Sequence, residues 1–162
     1  MNEITLYIHI PSPIGELLLV GDEHRLRGLY MDGRPRDGWQ KASEPFANAK
    51  DQLDQYFAGE RTEFDLELDM RGTQFQRGVW DALRTIPYGE TRSYGEIARQ
   101  IGRPDRARAV GAANGQNPVS IIVPCHRVIG ADGSLTGYGG GLDRKRWLLD
   151  NESGVAQLVV TA

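Results

Sequence analysis

The sequence predicts an α+β protein of two small domains. The first is an antiparallel sheet with one helix, and the second is a mainly helical, winged-helix-like unit built on a helix-turn-helix. Three observations lead there: apolar and polar residues alternate at the start of the chain, helical spacing takes over after residue 72, and the charge changes sign between the two stretches.

Ile4, Leu6, Ile8 and Ile10 alternate with Thr5, Tyr7 and His9, the period of a half-buried strand. Pro11–Gly15 turns the chain, Leu17–Val20 supplies a second strand, and Leu26–Tyr30 follows the break at Gly21-Asp22, so a meander is expected. Asp32–Lys41, rich in Gly, Pro and charge, reads as a loop. Ser43 and Pro45 can open a helix whose stripe is Phe46, Ala49, Leu53, Tyr56 and Phe57, with Gly59 as its stop. Phe64, Leu66 and Leu68 alternate with acidic residues, predicting one more strand before a boundary at Met70-Arg71-Gly72. The domains are therefore expected at 1–70 and 71–162.

Thr73 and Gln76 form a capping box ahead of a helix that buries Phe75, Val79, Trp80 and Leu83. Ser93 and Glu96 form a second, opening a helix through Ile101. After Gly102-Arg103-Pro104, Asp105 can cap a third helix, Arg106–Asn114. Two short helices joined by about four residues including Gly match a helix-turn-helix, with Arg106 and Arg108 at the start of its second helix, and also fit an ordinary helical corner. Val119–Val123 reads as a buried strand, and Val128–Ile129, Asp132-Gly133 and Leu135–Thr136 as a hairpin. Tyr138–Gly141 is a loop, and a last helix runs from Asp143 to Glu152, burying Trp147 and Leu148 before Gly154.

At 162 residues, 40% apolar and 25% charged, the chain is neither disordered nor fibrous. No stretch approaches the roughly 20 apolar residues of a membrane span, and Met1–Tyr7 lacks the basic-then-apolar pattern of an export signal, so a cytoplasmic protein is expected. The net charge of −3 hides a division: residues 1–70 hold 7 basic and 14 acidic side chains, residues 71–162 hold 12 and 8. Of those 12, 11 are arginine, the side chain suited to forked contact with phosphates and base edges; the asymmetry fits either a chance fluctuation on a solvated surface or a polyanion, which would then sit on the second domain.

Cys125 is the single cysteine, which excludes an internal disulfide and argues against a cysteine-based zinc site. A lone thiol serves either as a small buried apolar group or as a nucleophile. Here an apolar run and Pro124 precede it, and His126 and Arg127, able to stabilise a thiolate, follow. On a regular strand His126 points to the opposite face, so contact with Cys125 requires irregular backbone or a bridging water.

Pro124-Cys125-His126-Arg127-Val128 resembles the active-site signature of the methylated-DNA–protein-cysteine methyltransferases, the O6-alkylguanine-DNA alkyltransferases. The resemblance runs through Phe75–Trp80, Ile86–Glu90, Ser93-Tyr94, Arg108–Gly111, Asn117-Pro118 and Tyr138–Leu142 to Leu148–Glu152. It implies stoichiometric, suicide transfer of a methyl or other alkyl group from O6 of guanine, and from O4 of thymine, to Cys125. His126 would take the thiol proton through a water, Glu152 would orient His126, and Tyr94 would donate toward guanine N3. Asn117 would be a hinge tying the helix-turn-helix to the active-site segment. Arg108 would enter the stack of double-stranded DNA from the minor groove, with Arg106, Ala109, Gly111, Ser93 and Tyr94 at the same interface. The carbonyls of Cys125 and Val128 would accept from the guanine amino group, with Tyr138, Gly139 and Asn114 around the pocket. Some relatives have serine at the position of Gly139 and an apolar residue at that of Asn114. No cofactor is needed, since the alkyl group is already activated by its attachment to the base; zinc, present in the N-terminal domain of some members, is not expected with a single cysteine, nor is a membrane, and a monomer free in solution is expected. Two rivals are a lesion-binding protein of the same fold, against which the presence of Cys125 argues, and a thiol hydrolase, which would turn over.

Overall fold

The computed structural model describes residues 4–154, so the ends of the two expected domains, 1–3 and 155–162, lie outside it. Its contacts group into two compact units that change over between Met70 and Arg71.

In the first unit β1 (Leu6–Ile10), β2 (Leu17–Gly21) and β3 (Leu26–Met31) form the expected antiparallel meander, with the sheet order β3-β2-β1-β4. Every residue of β2 is buried, which suits the uninterrupted apolar run Leu17–Val20 at a central strand covered on both faces. The stretch read as a loop ends in β4 (Gln40–Lys41), which adds to the free edge of β1 in parallel: Gln40 and Ala42 donate to the carbonyls of Thr5 and Tyr7. Two residues are too few to show a period, so the sequence carried no signal for it.

A 3-10 turn, Glu44–Phe46, leads into α1 (Ala47–Phe57), which buries Ala49, Gln52, Leu53 and Tyr56. Ser43 sits at the N-cap position without a side-chain cap bond, and Gly59 turns away with φ 78°. The expected strand over Phe64–Leu68 does not form. One parallel bridge, Leu26 to Leu68, is all the pairing there, because Gln52 of α1 serves Asp65 instead, accepting from its N–H at 2.9 Å and donating to its carbonyl at 3.0 Å.

The second unit packs α2 (Gln74–Leu83), α3 (Tyr94–Gln100) and α4 (Ala107–Gly115) against one another. Both capping boxes are formed, each hydroxyl accepting from the N3 amide while the N3 side chain accepts in return. The Trp80 indole donates to the Ala113 carbonyl at 2.9 Å and ties α2 to α4. α4 starts one residue later than expected and is capped by no side chain: Arg106, not Asp105, stands at the N-cap position.

Three other expectations are corrected. Val119–Val123 is no strand but a buried turn, with Ile121 in the left-handed region at φ 73°. Asp132-Gly133 does turn tightly, Gly130 N–H meeting the Ser134 carbonyl at 2.8 Å, yet no hairpin forms. β6 (Val128–Ile129) instead pairs in parallel with β5 (Arg92–Ser93), because the apolar run before Cys125 has already turned inward and leaves β6 free for that partner. In α5 (Leu142–Ser153) the inward face is Lys145, Leu148, Asn151 and Glu152, while Trp147 is half-buried. No helix among the described residues is long and apolar enough to cross a membrane.

Candidate active site

The thiol is placed by the buried side chain of Asn117, which braces the turn ahead of it from within. Asn117 accepts from the Val119 N–H at 3.0 Å and donates to the Val123 carbonyl at 2.8 Å, closing the turn from inside. That closure holds Ile121, 1% exposed, at a positive φ that a β-branched residue rarely adopts. Pro124 then carries no donor, and Cys125–Arg127 winds as a single 3-10 turn. This is the irregular backbone that regular alternation lacked: Cys125, His126 and Arg127 are all buried.

His126 is 0% exposed, and its Nε2 lies 2.6 Å from Oε2 of Glu152 on α5. Arg127 forks onto the same carboxylate, Nε to Oε1 at 2.8 Å and Nη2 to Oε2 at 3.1 Å, and Nη1 donates to the Ile86 carbonyl at 2.6 Å. Burial pushes the Glu152 carboxyl up, but the hydrogen bonds and charges of His126 and Arg127 overcome it and hold the group at about 2. Burial holds His126 below the usual histidine range against the pull of Glu152. A neutral His126 cannot also supply charge to Glu152, so the permanently protonated Arg127 is what keeps that carboxylate ionised. Glu152 must then accept from Nε2–H, which leaves Nδ1 as the lone-pair nitrogen, and Nδ1 has no hydrogen-bond partner among the described residues.

Cys125 is 4% exposed, and burial pushes its thiol up, with smaller opposing pulls from Asn117, Ser120 and Lys145. The resting site therefore holds a protonated thiol, a neutral imidazole with its lone pair unengaged, and an ionised carboxylate. The Cys125 carbonyl accepts twice already, from the Val128 N–H and from Asn114 Nδ2 at 3.3 Å.

Around it, Tyr94 begins α3, with the Cβ position of Gly111 on α4 3.7 Å from its ring, and its hydroxyl donates to the Thr136 carbonyl at 3.2 Å. Tyr138 lies in the following loop, and burial pushes its hydroxyl well above the usual range. Arg106 and Arg108 are exposed at the start of α4, Ala109 and Gly111 are half-buried beyond them, and Ser93 is occupied in its capping box. A Cβ on Gly139 would meet nothing within 4 Å, so serine fits there. No cluster of three or more His, Cys, Asp or Glu that could hold a metal ion occurs among the described residues.

Residues 5–70 match the model of the 6-O-methylguanine DNA methyltransferase ribonuclease-like domain, and residues 74–154 that of the same family's DNA binding domain. The chain belongs to the 6-O-methylguanine DNA methyltransferase family. It is 63% identical to the methylated-DNA–protein-cysteine methyltransferase of Mycolicibacterium paratuberculosis over 88% of this chain and 89% of that protein. Identity to the Methanosarcina acetivorans protein of the same name is 54%, over 90% and 97% of the two chains. The crystal structure of Mycobacterium tuberculosis OGT in complex with DNA is 59% identical, covers 97% of this chain and 99% of its own, and superposes with a TM-score of 0.90.

Within this family member the structure brings Cys125, His126, Glu152, Asn117 and Asn114 together with Tyr138 beside the thiol, holds Tyr94 against Thr136 and Gly111, and leaves Arg106 and Arg108 exposed at the start of α4. The sequence offers Arg127 as a cation beside the thiolate, whereas the structure places its guanidinium on the Glu152 carboxylate. The only sequence signal for Arg127 was adjacency to Cys125. Lys145, set between two arginines, is 0% exposed.

Proposed function

We propose that this protein repairs alkylated DNA by moving the alkyl group from O6 of guanine, and from O4 of thymine, onto Sγ of Cys125, once per chain. The observation that carries the reading is a buried thiol followed in the chain by a buried imidazole whose Nδ1 lone pair is fixed by Glu152, in a member of this family. Because burial keeps the thiol protonated, a base is needed, and Nδ1 of His126 takes the proton through a bridging water. The thiolate attacks the alkyl carbon, the S–C bond forming as the C–O6 bond breaks. The electron pair leaves on O6 and spreads through the ring to N3, where the Tyr94 hydroxyl donates. A thioether is not undone by thiol exchange, so Cys125 is consumed, and no cofactor enters the balance.

The substrate is double-stranded DNA met from the minor groove by α4, with Arg106, Ala109, Gly111, Ser93 and Tyr94 along the contact. The damaged base must leave the stack, at a cost of a few kcal/mol, and Arg108 fills its place. In the pocket the Val128 carbonyl receives the guanine amino group more readily than the Cys125 carbonyl, whose two acceptor sites are taken. Tyr138, Gly139 and Asn114 surround it, and Asn117 links the helix-turn-helix to the reacting turn. The protein acts as a monomer. A cytoplasmic location follows from the substrate and from the need to keep a lone thiol reduced.

Mass spectrometry after incubation with an excess of duplex carrying O6-methylguanine tests this. One methyl per chain, mapped to the peptide holding Cys125, with no further demethylation of the duplex, is the expected result. Turnover beyond one, or methyl on another residue, overturns the reading. Cys125→Ser should bind the duplex and transfer nothing.

A further inference from the structure

Among the 12 basic side chains of residues 71–162, Lys145 is the single lysine, and it is 0% exposed. A buried ammonium is costly unless its hydrogens are bonded. Lys145 Nζ meets that need with backbone: it donates to the Val128 carbonyl at 2.6 Å and to the Thr136 carbonyl at 2.8 Å. The Thr136 carbonyl is also where the Tyr94 hydroxyl donates, at 3.2 Å, and Thr136 Oγ1 donates back to that hydroxyl at 3.2 Å. One ammonium thus touches the Val128 carbonyl directly and reaches the Tyr94 hydroxyl through Thr136, whose Oγ1 still donates to the phenol oxygen when the single phenol proton turns from the Thr136 carbonyl to a base.

Those two groups are the ones that, on the function proposed above, meet the guanine 2-amino group and N3. The two atoms are neighbours on one edge of the base, so their readers must stand a fixed distance apart. We propose that Lys145 is a positioning residue that fixes the spacing of the Val128 carbonyl and the Tyr94 hydroxyl, and so makes the pocket select purines that carry a 2-amino group. With Lys145 in place the carbonyl cannot turn away, and a base without that amino group leaves without a donor the acceptor site that Lys145 does not fill, which is how a polar site rejects an analogue. Without it, the Val128 and Thr136 segments are free to relax independently and the penalty disappears.

The inference rests on the proposed function, and the test separates the two. Single-turnover rates are measured on two duplexes identical except that one carries O6-methylguanine and the other O6-methylhypoxanthine, which lacks the 2-amino group. Wild-type protein is expected to prefer methylguanine by at least ~10-fold. In Lys145→Met the methylguanine rate should fall by about 10–100-fold and the preference should shrink to within about threefold of unity. Loss of thiolate stabilisation, or general loosening, slows both substrates alike and keeps the ratio; an unchanged ratio in a cooperatively melting variant overturns the proposal, as does a wild-type protein without preference. If Lys145→Met does not melt cooperatively, Lys145→Gln, whose shorter side chain carries no charge but keeps an NH2 group in a filled site, decides on the same ratio. Reaction of wild-type protein with neither duplex overturns the proposed function itself.

Discussion

Oε2 of Glu152 lies 2.6 Å from Nε2 of His126, and both side chains are closed off from solvent. The contact does two things at once. It fixes the imidazole tautomer, and it leaves the basic nitrogen pointing away from the carboxylate. Glu152→Gln offers Nε2 either an amide oxygen without charge or an amide nitrogen that is itself a donor. Transfer to Cys125 is expected to slow by about 100-fold or more, with the fold retained. Single-turnover kinetics and a thiol titration check this together, and a variant matching wild type in both would reduce Glu152 to a helix end.

The same carboxylate makes the protein acid-sensitive. Glu152 is held at about 2 in the folded chain against an ordinary 4.5, so its contribution is fully present above 4.5 and is lost as pH falls toward 2. The difference corresponds to about 3 kcal/mol. His126, held by burial below its ordinary 6.5, adds to the loss from there downward, since the unfolded chain takes up that proton first. Urea midpoints measured between about pH 7 and about pH 2 should fall steadily, and Glu152→Gln should flatten the lower part of the curve. Parallel curves for the two proteins would contradict the assignment.

Asn117 is the brace of the reacting turn. Removing its amide leaves the buried Val119 N–H without its partner and the Val123 carbonyl with the Cys125 N–H alone, and releases Ile121 from its positive φ. Asn117→Ala is expected to lower stability by about 1–3 kcal/mol and to slow transfer, because Cys125 is no longer presented in one geometry. A variant with wild-type melting temperature and rate would show that the turn stands without it.

Arg108 separates DNA handling from chemistry. It is exposed in the first turn of α4 and belongs to none of the bonds that hold Cys125. Arg108→Ala should slow repair of duplex by ~10–10³-fold, since each 1.4 kcal/mol lost is a factor of about ten. Reaction with the free O6-methylguanine base should stay near wild type, because nothing has to be extruded. Loss of both activities would assign Arg108 a structural role, and loss of neither would remove α4 from the docking surface.

What the sequence determined alone was whatever depends on neighbours a few residues apart. The Thr73–Gln76 and Ser93–Glu96 boxes form as read because each closes within one helical turn. The meander forms because alternation and an apolar run settle strand and burial together. The candidate site was legible through its motif, Cys125 to Val128, and through Glu152. What only the tertiary structure decided was where polar groups find distant partners. Val119–Val123 is apolar enough for any buried backbone, and Asn117 makes it a turn. Phe64–Leu68 alternates as a strand should, but Gln52 takes the bonds a neighbouring strand would have made. Arg144-Lys145-Arg146 reads as solvated charge, yet the middle residue is buried because two backbone carbonyls, 17 and 9 residues away, converge on its ammonium. Apolar periodicity records how much of a segment is buried. Which hydrogen bonds satisfy the groups buried with it depends on segments brought together only by folding.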